Sequence, residues 1–499
     1  MNSATPSVRG GTTPEGMTPR RHGPRSQDRG TYEITLGGLS TVTDRIRIDD
    51  ENPWYWNYDG ERTLLLGGTD TDSLFQWAGS GLAEHLDELV AVGGNYVRNT
   101  MSDRSSDDQG GDGKKAQSVY AFAEIEPGTY DLATWNPEYW NRLDVFLEAT
   151  YERDIVVELT LWDQHDFGGD RWERHPWNPE RNVNYSVEDS QLTGRADFFA
   201  AVREGNDLVT SFQTSFVDNV LSRSLEYPHV IYNVSNEGWC GNAWERFWAD
   251  RIHRSANERG VSAYVANMTM SPRHSVDKVL RNPGHFDYVE ISQHNQITRG
   301  KEGQAHWDDI LHWKHAVSET IGPRPFNSVK IYGAEGGHVH AGTAEEAVDR
   351  LFRLVLSGCA TGRFHRLVGD NNWGIGLNER AATTIKSLRA LETEVDLTRC
   401  LPRNDLLIER EPNESYCASI GEDTYVIYFP AGGRALLDLY ELEGSWSTSW
   451  LDVSTAEWID GGNGERVSNN RTGGTATPIE LSSPTGGPCV ALLDISEQH

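Results

Sequence analysis

The sequence predicts an α/β fold, a (β/α)8 TIM barrel followed by a C-terminal all-β sandwich domain. Three observations carry that expectation. Eight short apolar, β-branched runs recur along the first four-fifths of the chain. Segments with apolar residues at helical spacing separate them. After Glu392 the texture changes to short alternating runs broken by Gly, Asp and Pro. The expected organisation is a disordered tail over 1–30, a catalytic barrel over 31–392 and a β-sandwich domain over 393–499.

In chain order, residues 1–30 are mostly Gly, Pro, Ser, Thr and Arg with almost no large apolar side chain. Such a segment cannot bury enough surface to offset the entropy of ordering. The stretch NPWYWNYDGERTLLLGGTD reads as a hairpin leading into a first buried strand. The strands are expected at Leu64–Gly68, Tyr96–Met101, Ile155–Trp162, Val230–Asn236, Ala263–Met268, Tyr288–Gln293, Ile331–Ala334 and Arg363–Leu367. Between them Leu82, Leu86, Leu89 and Val90 make one helical face, closed by Gly93-Gly94 as a C-terminal cap. Trp140, Leu143, Leu147 and Tyr151 make a second, and Phe212, Phe216, Val220 and Leu221 a third. Eight strands alternating with helices fit a barrel better than an open sheet. No GxGxxG follows the first strand, which weakens a dinucleotide-binding fold. The run YCASIGEDTYVIYFPAGGRALLDLYELEGSWSTSWLDVSTAEW has the alternation and turn residues of a sandwich.

Composition narrows the function. The formal charge is −30, and only seven of the 45 basic residues are Lys. Such a surface repels phosphates, so nucleic acid is not an expected partner. Acidic, Lys-poor composition is similar to that of proteins from salt-loving microbes. The 17 Trp and 18 Tyr suit a cleft in which sugar rings stack on aromatic faces. The five Cys are odd in number and form no CxxC pair, so neither a zinc ribbon nor a disulfide framework is indicated. No apolar stretch is long enough for a membrane span. No apolar run follows Arg20-Arg21, so a secretory signal is not supported and the expected location is cytoplasmic. No cofactor is called for.

Barrel enzymes place their chemistry at the C-terminal ends of the strands. The fourth strand, in VIYNVSNEGW, ends on Asn236-Glu237. A Glu there can protonate a glycosidic oxygen and later activate water, while the Asn amide hydrogen-bonds a sugar 2-hydroxyl. The seventh, in VKIYGAEGGH, ends on Glu335, with Gly333, Gly336 and Gly337 leaving room beside the carboxylate. Across a barrel mouth, carboxylates on strands four and seven can approach to about 5 Å, the spacing that retention through a glycosyl-enzyme intermediate requires. The third strand ends LTLWDQHDF, which brings Trp162, Asp163 and His165 to the rim. That cluster suits hydroxyl recognition and stacking, or braces the loop that follows.

These residues resemble the largest clan of retaining glycoside hydrolases, barrel enzymes with Asn-Glu on strand four and Glu on strand seven. The resemblance covers about residues 50–392 and implies Glu237 as acid/base and Glu335 as nucleophile. It further implies Arg98, in YVRN on strand two, as the cation that keeps Glu335 ionised. It implies His294, in EISQHNQ on strand six, beside the nucleophile, and Trp373, in GDNNWGIG after strand eight, as a sugar platform. Asp70 and Asp72, in GGTDTDSLFQW, fall where such hydrolases bind a terminal sugar. The expected substrate is an oligo- or polysaccharide. Two other readings stay open: a catalytically inactive carbohydrate-binding or interaction protein on a barrel scaffold, and a metal-dependent barrel hydrolase using His338 and His340. Cys240, close after Glu237, has no evident base partner and reads as a buried thiol.

Overall fold

The computed structural model, which describes residues 46–77, 79–102, 119–238, 241–296, 303–338, 341–367, 374–439, 444–466 and 478–496, begins with the hairpin. Strands Ile46–Ile48, Trp56–Tyr58 and Glu61–Thr63 form an antiparallel sheet. At its tight turn Asp59 and Gly60 both have positive φ, 53° and 90°. Two left-handed residues make the type I′ turn whose twist matches the strands it joins.

Parallel strands follow, labelled β1 (Leu65–Gly68), β2 (Tyr96–Thr100), β3 (Val156–Asp163), β4 (Val230–Asn236), β5 (Val265–Ala266), β6 (Val289–Glu290), β7 (Phe326–Asn327) and β8 (Thr361–Phe364). Ladders join β2 to β3, β3 to β4, β4 to β5, β6 to β7, and β8 to β1. Backbone bonds outside these ladders link the remaining neighbours. Asn95 N donates to Leu66 O at 2.9 Å, Asp287 N to Val265 O at 2.7 Å, and Ala360 N to Phe326 O at 2.9 Å. Helices follow the strands, among them Gly81–Ala91, Pro137–Tyr151, Asp207–Ser224, Asn242–Glu258, Gly303–Ile321, Ala344–Leu356 and Glu379–Glu392. This mixed α/β arrangement of parallel strands is consistent with a TIM-barrel-like fold.

Local sequence explains the helix boundaries. The NPEYW stretch starts Pro137–Tyr151: the Asn136 side chain accepts from Glu138 N, and Pro137 fills a position with no need of an N–H. Thr343 and Glu346 form a reciprocal capping box at Ala344–Leu356. The helical faces bury Leu82, Leu86 and Leu89, then Trp140, Leu143 and Leu147, then Phe216, Val220 and Leu221, while Val90 and Tyr151 lie on the exposed edge.

The register of the seventh strand differs from expectation. Its ladder is at Phe326–Asn327, upstream of Ile331–Ala334, where Ile331 keeps an isolated parallel bridge to Phe364 and Ala334 one to Thr343. Polar side chains hide this strand in the sequence. Asn327 Oδ1 accepts from Trp56 Nε1 at 3.0 Å, and Ser328 Oγ accepts from Asn295 Nδ2 at 2.6 Å. Both are buried but satisfied, so the strand tolerates residues that read as loop.

The C-terminal part is antiparallel. One sheet runs in the order Leu401–Pro402, Tyr416–Ile420, Thr424–Phe429, Cys489–Ser496, Gly444–Asp452, Glu457–Arg466. A second contains Leu407–Ile408, Arg434–Leu437 and Ile479–Ser482. Period-two alternation divides the burial. Tyr425, Ile427 and Phe429 share a core with Leu437 and Leu481 of the second sheet. Val426 and Tyr428 face the other way and join the core of the α/β part.

Candidate active site

The strand β4 delivers Glu237 in an unusual conformation. Its φ is 55°, in the left-handed region. For a residue with a Cβ this costs about 1–2 kcal/mol. The surroundings enforce it. Gln164 Nε2 donates to Glu237 O at 2.6 Å, and Gly238 N donates to Met268 O at 2.8 Å. A Cβ on Gly238 would run into Ser235 Oγ, so the next residue has to be glycine.

Three side chains hold the carboxylate. Oε1 accepts from Lys330 Nζ and from Gln293 Nε2 at 2.8 Å. Oε2 lies 2.9 Å from His165 Nε2. The Glu237 side chain is 12% exposed and that of His165 41%. Burial alone would push the Glu237 carboxyl up, but the Lys330 charge and the His165 contact outweigh it and hold the group well below the usual carboxylate range. Burial in turn lowers the Lys330 ammonium, with Glu237 opposing.

Beside this cluster Arg98 ties three strands together. Its NH1 donates to Asp72 Oδ1 at 3.2 Å, NH2 to Asn236 Oδ1 at 3.0 Å and Nε to Thr160 Oγ1 at 3.2 Å. Asp72 also meets His365 at 3.2 Å and Arg366 at 3.3 Å. Burial would raise the Asp72 carboxyl, yet His365, Arg98 and Arg366 keep it well below its ordinary value. Deeper in, Glu290 is pushed well up by burial and by the neighbouring Glu158.

Other expected site residues fall elsewhere. Glu335 is 63% exposed and pairs with Arg380 through bonds of 3.3 and 3.2 Å; Arg380 also holds Glu345. The residue that the segment after β7 sends to Glu237 is Lys330, because the strand starts earlier than the apolar run suggests. The cation expected beside Glu335, Arg98, instead serves Asp72 and Asn236. His294 is buried, stacked on His306 with ring centroids 4.8 Å apart and edge-on to Trp313. Its neighbour Gln293 makes the contact to Glu237. Trp162 is buried among Phe198, Phe216, Trp244 and Trp248, so its faces serve packing. Asp163 accepts from His165 N at 2.9 Å and so fixes the turn that carries His165. Asp70 accepts from Leu377 N at 3.0 Å. His338 Nδ1 accepts from Ala341 N within its own loop. Trp373, His340 and Cys240 lie outside the described residues.

Sequence reasoning missed Lys330, Gln293 and Gln164. A signal existed for the first: Lys330 stands within an apolar run of a chain that has very few lysines. The two glutamines have no such mark.

Domain of unknown function (DUF6298) matches residues 118–309. No curated protein matches the chain. Its structural neighbours are glycoside hydrolases. One described as a glycoside hydrolase has a TM-score of 0.61 at 12% identity, over 91% of this chain and 98% of that one. A family 5 glycoside hydrolase from Bacteroides vulgatus ATCC 8482 has a TM-score of 0.59 at 13% identity, over 90% of this chain and 94% of that one. At these identities the likeness is one of fold.

Proposed function

We propose that the protein is a glycosidase that cleaves an O-glycosidic bond of an oligo- or polysaccharide at the C-terminal mouth of a closed (β/α)8 barrel. The observation that carries this reading is Glu237, a left-handed non-glycine residue directly after Asn236 whose carboxylate three side chains grip. Such backbone strain persists only where its surroundings over-determine it, and it gathers at active sites. The likeness in fold to glycoside hydrolases supports the same reading. In a retaining scheme the Glu237 centre supplies acid/base catalysis and Glu335 is the nucleophile. That scheme needs the two carboxylates about 5 Å apart, so substrate binding has to draw Glu335 from Arg380 into the mouth.

The test is release of reducing sugar by the purified protein from a panel of polysaccharides and aryl glycosides. Glu237→Gln should lose at least about 100-fold in kcat/KM. Glu335→Ala should be inactive and recover with azide, yielding a glycosyl azide. Full activity in Glu335→Ala removes the nucleophile and leaves the glycosidase reading standing.

One observation favours a second reading, carbohydrate binding without turnover. A cation against Glu237 opposes the protonated state that an acid catalyst needs. Saturable oligosaccharide binding by calorimetry, with no product at any pH, would establish it.

A further inference from the structure

We infer that His165 is the group that exchanges protons with the glycosidic oxygen, and that Glu237 stands behind it as its orienting carboxylate. This deepens the glycosidase reading and rests on it. Three geometric facts carry the inference. First, Glu237 has its carboxylate oxygens occupied: Lys330 and Gln293 donate to Oε1, and His165 takes Oε2. A carboxylate held by a cation and a second donor is a poor source of a proton. Second, the order of exposure is reversed for a Glu acid. His165 is 41% exposed and Glu237 12%, so a substrate entering the mouth meets the imidazole first. Third, one short turn fixes both partners. It spans Gln164–Phe167, where Gln164 holds the Glu237 carbonyl and His165 the Glu237 carboxylate.

The rest of the surroundings keep the ring aimed. Asp163 Oδ1 accepts from His165 N, and Arg171 NH1 donates to His165 O at 3.2 Å. Asp166, in the same turn, is engaged by Ser102 Oγ at 2.6 Å, and Lys330 sits on the far side of Glu237. With Nε2 committed to the carboxylate, Nδ1 is the ring atom that serves the substrate. A carboxylate that orients an imidazole and stabilises its cation is a known catalytic division of labour.

The steps balance as follows. In the first, the bond from C1 to the leaving oxygen breaks and its electron pair goes to that oxygen. The Nδ1 proton of the imidazolium passes to the same oxygen, and the nucleophilic carboxylate bonds to C1. In the second, the neutral imidazole takes a proton from water, whose oxygen bonds to C1. The carboxylate departs with its electron pair, and the imidazolium is restored.

The experiment measures kcat/KM against pH for 2,4-dinitrophenyl and phenyl β-glucosides, β-mannosides and β-xylosides. It compares the full-length protein with His165→Gln, His165→Gly and Glu237→Gln. His165→Gln should melt close to the unaltered protein. It should lose about 100- to 10,000-fold on the phenyl glycosides, little on the dinitrophenyl ones, and the alkaline limb of its profile. Added imidazole should restore His165→Gly. A loss that is equal for both leaving groups, with the alkaline limb intact, overturns the inference. So does leaving-group dependence in Glu237→Gln but not in His165→Gln, which returns the proton to Glu237. No turnover by the unaltered protein removes the glycosidase reading and this role together. Turnover that survives His165→Gln unchanged removes this role alone.

Discussion

At the scale of single residues, Glu237 and Lys330 make two separable predictions. Lys330 is almost wholly buried, so Lys330→Met strands the Glu237 charge beside apolar surface. Breaking a buried pair from one side costs about 3–5 kcal/mol, and urea unfolding at pH 7 should register it. Adding Glu237→Gln to that variant should recover most of the loss, because the stranded charge is gone. The sign with pH follows from the depressed Glu237 carboxyl. The pair contributes fully above the ordinary carboxylate range, and its contribution is lost as pH falls through the folded-state value. The backbone makes the second prediction. Glycine normally lowers stability relative to alanine, but at φ 55° the order should invert. Glu237→Gly should be more stable than Glu237→Ala by about 1 kcal/mol in the same urea series. At this scale the strand that ends on Asn236 and Glu237 is legible, because Val230, Ile231, Tyr232 and Val234 mark it in the sequence and are buried in the structure. The sequence was silent on the donors. Gln293 and Lys330 reach Glu237 from the segments just after β6 and β7, and no local pattern encodes a contact between segments so far apart in the chain.

At the scale of elements, the loop after β6 shows what a small rotation changes. The resemblance puts His294 beside the nucleophile, but residues Ser292–Gln296 form a 3-10 turn in which His294 N bonds Ile291 O. That turn leaves Gln293 on Glu237 and stacks His294 on His306, from helix Gly303–Ile321. His306 Nε2 meets Asn295 Oδ1 at 3.0 Å, and Arg353 lies against its other nitrogen. Burial lowers both imidazoles, His294 to about 4 and His306 well below its ordinary value, with Arg353 adding to the effect. Asp309 faces His294 at 3.4 Å and does not offset this. The stacked pair is therefore neutral in the folded protein at pH 7, whereas each ring in the unfolded chain binds a proton near pH 6.5. Stability from the pair is complete above about pH 6.5 and is lost as pH falls toward 4. The urea midpoint should fall between pH 7 and pH 5, and His306→Gln should flatten that fall. An unchanged slope in His306→Gln would show that the titration lies elsewhere. The strands themselves were legible where apolar residues open them and the ladder is five residues or longer, as in β2, β3 and β4. Strands β5 and β6 were found but are shorter than their apolar runs, and β7 was displaced because Asn327 and Ser328 are satisfied by tertiary partners.

At the scale of the whole molecule, the sequence marks where the texture changes at Glu392 but not how the two textures meet. Alternation along Thr424–Phe429 reveals two faces; it does not say that one of them packs on helices of the α/β part. The structure joins them through one core. Phe352 stacks on Tyr428 with centroids 4.4 Å apart and planes 3° from parallel, and Tyr428 Oη donates to Asp349 Oδ1 at 2.5 Å. Trp307 meets Tyr416 at 5.2 Å, and Ser387 Oγ donates to Val453 O at 3.0 Å. Three helices, Gly303–Ile321, Ala344–Leu356 and Glu379–Glu392, thus depend on the antiparallel sheet for cover. Two consequences follow from a shared core. Calorimetry of the full chain should show one unfolding transition, because neither part can lose its structure without exposing the other's apolar face. Tyr428→Ala removes the stacked ring and leaves Asp349 without its hydroxyl donor. It should cost about 3–5 kcal/mol and lower the single transition as a whole. Two resolved transitions, with Tyr428→Ala moving only one of them, would mean that the contact is too weak to couple the parts.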